Sequence, residues 1–146
     1  MTRLTINEAG TSGYTDELIL TPSDFTTAAG NTTTVVNFPV KAGDLIDACA
    51  LVVTEAFSTS SNITIGPDGT ARSAGAAADG FIEADNANAT GTSVNTGDLL
   101  DDGGGASENR FKADSDGNIT ITAASALNDD TSGRMRVLFS VKRTNF

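Results

Sequence analysis

The sequence predicts an all-β fold, a jelly-roll-like β-sandwich with long polar loops and an irregular N-terminal arm. Three observations lead there. Short runs rich in branched residues recur between clusters of Gly, Pro, Asn and Asp. The clearest run, 134–142, alternates between apolar and polar residues except at Leu138. No segment carries a secure helical stripe. The chain has 146 residues, the length of a single domain with room for about eight strands. A domain of this size buries roughly 68–70 % of its unfolded surface, so neither disulfide nor metal is needed to hold it together. We expect residues 1–17 to form the arm and 18–146 the sandwich.

The arm is polar, and Gly10, Ser12 and Gly13 break any periodicity within it. Leu18-Ile19-Leu20-Thr21, stopped by Pro22, and Val35-Val36-Asn37-Phe38, stopped by Pro39, have the length and branching of strands. Residues 45–57 admit two readings. As a helix, Leu45, Ile46, Cys49, Val52, Val53, Ala56 and Phe57 line one stripe, with Asp44 as the N-cap. As a strand, both faces are largely apolar, which suits a buried central position. The Leu51-Val52-Val53-Thr54 stretch favours the strand, because branched side chains lose χ1 freedom in a helix. Asn62-Ile63-Thr64-Ile65 and Asn118-Ile119-Thr120-Ile121 alternate as half-wet strands do. Residues 67–108 read as polar loop, with short strands at Val94 and at Leu99-Leu100. In the last strand Met135, Val137, Phe139 and Val141 point to the core, while Arg134, Arg136, Leu138, Ser140 and Lys142 point to water.

Composition removes whole classes of function. There is no histidine, so neither a Ser-His nor a Cys-His nucleophile pair exists, and the commonest neutral-pH acid/base group is missing. Nine basic residues against 19 acidic ones leave a net charge of −10, which repels nucleic acid and anionic membranes. No apolar run approaches the length of a membrane helix, and the first residues lack a signal-peptide core. The single Cys49 has no internal disulfide partner; it reads as a small core residue made in a reducing cytoplasm.

Few constellations carry chemistry. Asp114-Ser115-Asp116-Gly117-Asn118 resembles part of a calcium loop, since Asp114, Asp116 and Asn118 alternate as ligands for a hard cation. The closing Glu would stand at 123, where the chain has Ala123, and an Asp-Gly turn accounts for the residues as they are. Asp98, Asp101, Asp102, Asp129 and Asp130 could supply paired carboxylates for glycoside hydrolysis. Seven Phe, one Tyr and no Trp leave little for a sugar platform, and solvated loop acids explain them better. Gly103-Gly104-Gly105 lacks the spacing and the Lys of a phosphate loop. The one charge anomaly is the last strand, where Arg134, Arg136, Lys142 and Arg143 gather four of the nine cations. They form either a solvated, charge-protected strand or a docking face for an acidic surface.

The order of segments resembles a known family. A polar lead is followed by Leu-Ile-Leu-Thr-Pro-Ser-Asp-Phe and Phe-Pro-Val-Lys-Ala-Gly-Asp, then by a long apolar strand ending Thr-Glu-Ala-Phe. Asn-Ile-Thr-Ile-Gly-Pro-Asp-Gly-Thr, Ala-Asp-Gly-Phe-Ile and the closing Arg-Met-Arg-Val-Leu-Phe come after. Over residues 18–143 this is similar to the jelly-roll capsid decoration, or cement, proteins of tailed bacteriophages with HK97-type heads. The resemblance implies a non-enzymatic virion protein without cofactor, a homotrimer seated on the phage major capsid protein at the outer surface of the shell. It carries no catalytic residues. The expected capsid contacts are Arg3, Leu4 and Ile6 of the arm and Arg134, Arg136, Lys142 and Arg143 of the last strand. The loop at 67–93 and the glycine run depart from the family, whose members are often shorter there. A receptor- or glycan-binding module of a head fibre or tail spike is the alternative.

Overall fold

A computed structural model describes residues 2–5, 14–27, 33–97, 99–100 and 110–143. Two antiparallel sheets pack face to face. The strands are β1 (Thr2–Thr5), β2 (Asp16–Leu20), β3 (Thr26–Thr27), β4 (Thr34–Val40), β5 (Leu45–Glu55) and β6 (Asn62–Pro67). They continue with β7 (Ile82–Asn86), β8 (Gly91–Val94), β9 (Phe111–Lys112), β10 (Gly117–Ala123) and β11 (Arg134–Lys142). A short 3-10 turn at Pro22–Asp24 follows β2.

One sheet runs β1-β2-β11-β5-β8, with β9 also on β5; the other runs β3-β4-β10-β6-β7. With the short flanking strands β1, β3 and β9 set aside, eight strands remain. They pair first with last (β2 with β11), second with seventh (β4 with β10), third with sixth (β5 with β8) and fourth with fifth (β6 with β7). The chain is thus a long two-stranded ribbon folded at β6–β7. Wrapping the ribbon adds the β11–β5 and β10–β6 ladders and closes the two sheets. This is the strand order of a jelly roll.

Alternation sets what goes inside. Leu18 and Leu20 on β2, Val36 and Phe38 on β4, Ile63 and Ile65 on β6, and Ile119 and Ile121 on β10 all point inward and are buried. The rings of Phe38 and Phe139 stack 4.6 Å apart across the two sheets. Phe25 meets Phe57 edge-on, and Phe81 tilts against Phe111. Residues 45–55 form a strand, not a helix. Ile46, Cys49, Leu51 and Val53 enter the core, and β11 and β8 cover the two edges of β5.

Four local expectations differ from the structure. The lead at 1–17 contributes a strand: Thr2–Thr5 pairs with Ile19–Asp16, and β2 itself begins at Asp16. Pro39 does not stop β4, because β3 covers only Thr34 and Val35. On that uncovered edge a missing N–H removes no ladder bond. The 67–108 region holds β7, unmarked by alternation, and Leu99 and Leu100 lie in a turn. Leu138 points away from the core yet is only 2 % exposed, so the outer face of β11 is not uniformly wet.

Candidate functional site

The four cations of the last strand do not form one open basic patch. Arg136 stands opposite Ile19 of β2 and Val52 of β5, and its Nε donates to Oε1 of Glu17. Glu17 is 2 % exposed and shares its row of the outer face with Leu138 and Ala50, both also buried. A carboxylate so placed needs a partner, since an unpaired buried charge is costly. The same bond raises the pKa of Arg136 above its ordinary value, against the opposing effect of burial.

Arg143 holds the neighbouring acid. Its Nη1 and Nη2 donate to Oδ1 and Oδ2 of Asp16 at 3.1 and 3.0 Å, and the Thr15 hydroxyl donates to Oδ1 at 2.9 Å. Asp16 pairs with Phe139, on the inward side of β2, and is 4 % exposed. The planar guanidinium matches the carboxylate two bonds at a time. Asp16 and Glu17 therefore project from opposite faces of one strand, and each is held by an arginine, Arg136 on β11 and Arg143 directly after it.

Lys142 reaches Asp47 at 3.4 Å, a largely exposed contact of small energetic weight. Asp47 is the extra residue where β5 slips one position against Ser140 and Val141 of β11. Arg134 is exposed and makes no ion pair among the described residues. Of the arm residues, Arg3 and Leu4 stand in register opposite Leu18 and Glu17; Ile6 lies outside the described residues.

Asp114, Asp116 and Asn118 share one end of the sandwich but reach two different loops, Asp114 and Asn118 the one between β6 and β7 and Asp116 the one between β4 and β5. Asp114 Oδ2 accepts the N–H and the hydroxyl of Ser73 at 2.9 and 2.8 Å. Asp116 accepts the N–H of Ala42 at 3.0 Å and meets Lys41 at 3.4 Å. Asn118 donates to Asp68, whose Oδ1 also accepts the N–H groups of Thr70 and Ala71. Hydrogen bonds from Ser73 lower the pKa of Asp114, and those from Ala42 and then Lys41 lower that of Asp116. At Asp68 burial raises the pKa, and the bonds from Ala71, Asn118 and Thr70 outweigh it. Each side chain is a staple between a loop and its neighbour. Among the described residues no group of three His, Cys, Asp or Glu side chains is arranged to hold a metal.

Asp130 works the same way at the opposite end, accepting the N–H and hydroxyl of Thr59. Cys49 is fully buried on β5, and burial pushes its thiol pKa far up, away from the reactive thiolate. Asp98, Asp101, Asp102 and Gly103–Gly105 lie outside the described residues. Sequence reasoning passed over Asp16 and Glu17 because they open a short strand at the end of a polar lead. Two adjacent acids directly before Leu18-Ile19-Leu20 were the available signal, and it acquires meaning only once β11 is the neighbour. Comparisons with family models, with curated proteins and with solved structures find no match to this chain.

Proposed function

We propose that this chain is a structural, non-enzymatic virion protein that decorates and stabilises the outside of an HK97-type phage capsid. The observation that carries the proposal is the strand order, because the jelly roll implied by the resemblance is the fold the chain adopts. A fold alone assigns no activity, so the use made of the polar groups matters as well. The ion pairs and carboxylate bonds described above tie strand to strand and loop to loop, which suits a protein whose work is mechanical. On this reading Arg134, exposed on β11, is the cation of that strand best placed to meet an acidic neighbour.

Imaging of intact particles by electron microscopy tests the proposal. Density for this chain in hundreds of copies, at three-fold positions on the outer shell, is the expected result, and stripped heads should lose heat resistance that added protein restores. Density confined to a fibre or tail, in tens of copies, would replace this reading with a receptor- or glycan-binding module.

A further inference from the structure

Cations are sorted between the two sheets. The strands of the five-stranded sheet hold no lysine or arginine, and β7 gives that sheet two acids, exposed Glu83 and half-buried Asp85. In the six-stranded sheet β9 adds Lys112 to the cations of β11. Lys142, Leu45 and Lys112 stand in one row across β11, β5 and β9. The next row, Val141, Ile46 and Phe111, is buried in the core, so the lysine row lies on the outer face. Both lysines are exposed, and Lys112 makes no hydrogen bond or ion pair among the described residues. At the far end of this face Arg134 stands exposed opposite Glu55. Arg134, Arg136, Lys142 and Lys112 here outnumber Glu17, Asp47 and Glu55, in a chain of net charge −10.

Apolar groups lie between the two charged ends. Ile19 and Val52 flank Arg136 and are half-buried. Val94, beside Ala50 at the edge, is 49 % exposed, more than any other large hydrophobic among the described residues. We infer that the six-stranded sheet, not the five-stranded one, is the side turned toward the capsid, and that it meets a folded protein surface with carboxylates over Lys112 and Arg134. This rests on the capsid reading above and adds an orientation to it.

Charge and size select that partner. A carboxylate-bearing surface is attracted at this face and repelled by the other side of the molecule. A nucleic acid or an anionic membrane carries its charge everywhere and meets the acids beyond the face as well. The nine residues of β11 set Arg134 and Lys142 about 27 Å apart at about 3.4 Å per residue, too far for one small anion to join. Five strands about 4.8 Å apart complete a face of roughly 600 Å² in projection, close to the roughly 800 Å² per partner of a specific interface. Glu17, Leu138 and Ala50 are already buried at its centre, so the contacts come from the groups around them. Apolar groups with charges toward the rim suit a contact between proteins.

Binding of the purified full chain to stripped heads, with electron microscopy of the complex, tests the orientation. Lys112→Glu should weaken binding by about tenfold and reduce its salt dependence. Thr26→Glu combined with Thr64→Glu makes the same change in net charge on the other sheet, and should bind within about twofold of the parent. Unchanged melting temperatures show that the variants fold. The density should place the six-stranded sheet against the shell. Lys112→Glu bound as tightly as the parent, the threonine pair weakened as much as Lys112→Glu, or the five-stranded sheet against the shell would each overturn the inference and leave the capsid reading standing. A parent that binds no heads overturns both.

Discussion

At the scale of single residues, Gly133 is the tightest constraint in the loop before β11. Its φ is +134°, and a Cβ there would stand 2.5 Å from Cγ and Cδ2 of the Phe57 ring. That ring is fully buried and held edge-on by Phe25, so it has no free space to enter. Gly133→Ala combines a left-handed backbone with overpacking and should cost about 2–4 kcal/mol, read as a lower urea midpoint. The arginines of β11 separate just as sharply. Arg136→Met would strip the partner from Glu17 and should cost about 2–3 kcal/mol. This is below the full cost of breaking a buried pair, because the Arg136 side chain is 33 % exposed. Arg134→Glu should change stability by less than about 0.5 kcal/mol. Equal losses for the two variants would contradict the assignment of Glu17 to Arg136.

At the scale of elements, three loops at one end of the sandwich hang on Asp68, Asp114 and Asp116. Their folded pKa values lie below those of free carboxylates. A depressed carboxylate stabilises the fold at pH values above its unfolded pKa, and this contribution is lost as pH falls through the folded one. Stability should therefore be level near neutrality and decline from about pH 4 downwards. Asp68→Asn together with Asp114→Asn should flatten that decline. The same geometry bears on metal. The carboxylates of Asp114 and Asp116 are engaged with separate loops, so millimolar calcium should leave the melting temperature unchanged. A rise of several degrees, reversed by chelator, would mean that the staples rearrange into a site.

At the scale of the whole molecule, the cations of the last strand that suit the proposed decoration narrow to one side chain. Charge reversal at Arg136 or Arg143 perturbs the link between β2 and β11, so lost decoration in those variants would not separate docking from folding. Arg134→Glu tests docking without that ambiguity. It should reduce binding to stripped heads and its salt dependence while the melting temperature holds. Retained binding at every salt concentration would remove β11 from the docking surface. Removing residues 1–13 takes away β1 and bares the edge of β2. The truncated chain should aggregate more readily than the parent, as chains with an unprotected edge do.

Much of this architecture was legible from local pattern. Alternation in 118–122 and 134–142 identified strands and their inward faces, because a period of two is a property of the backbone alone. The absence of histidine needed no structure to rule out a catalytic step carried by a histidine. The branched stretch at 51–54 tilted a long ambiguous segment toward a strand, and burial of both edges of β5 made it one. What the sequence by itself could not assign was partnership. Glu17 and Arg136 are 119 positions apart, and no local rule connects them until the ribbon wraps β11 against β2. Four basic residues in ten thus looked like a surface, although three of them pair with acids supplied by other strands. Tertiary structure also decided the strand Thr2–Thr5, whose residues are strand-like only because β2 offers an unpaired edge. Local sequence encodes period and turn chemistry; which edges and charges meet is set by the closure of two sheets around one core.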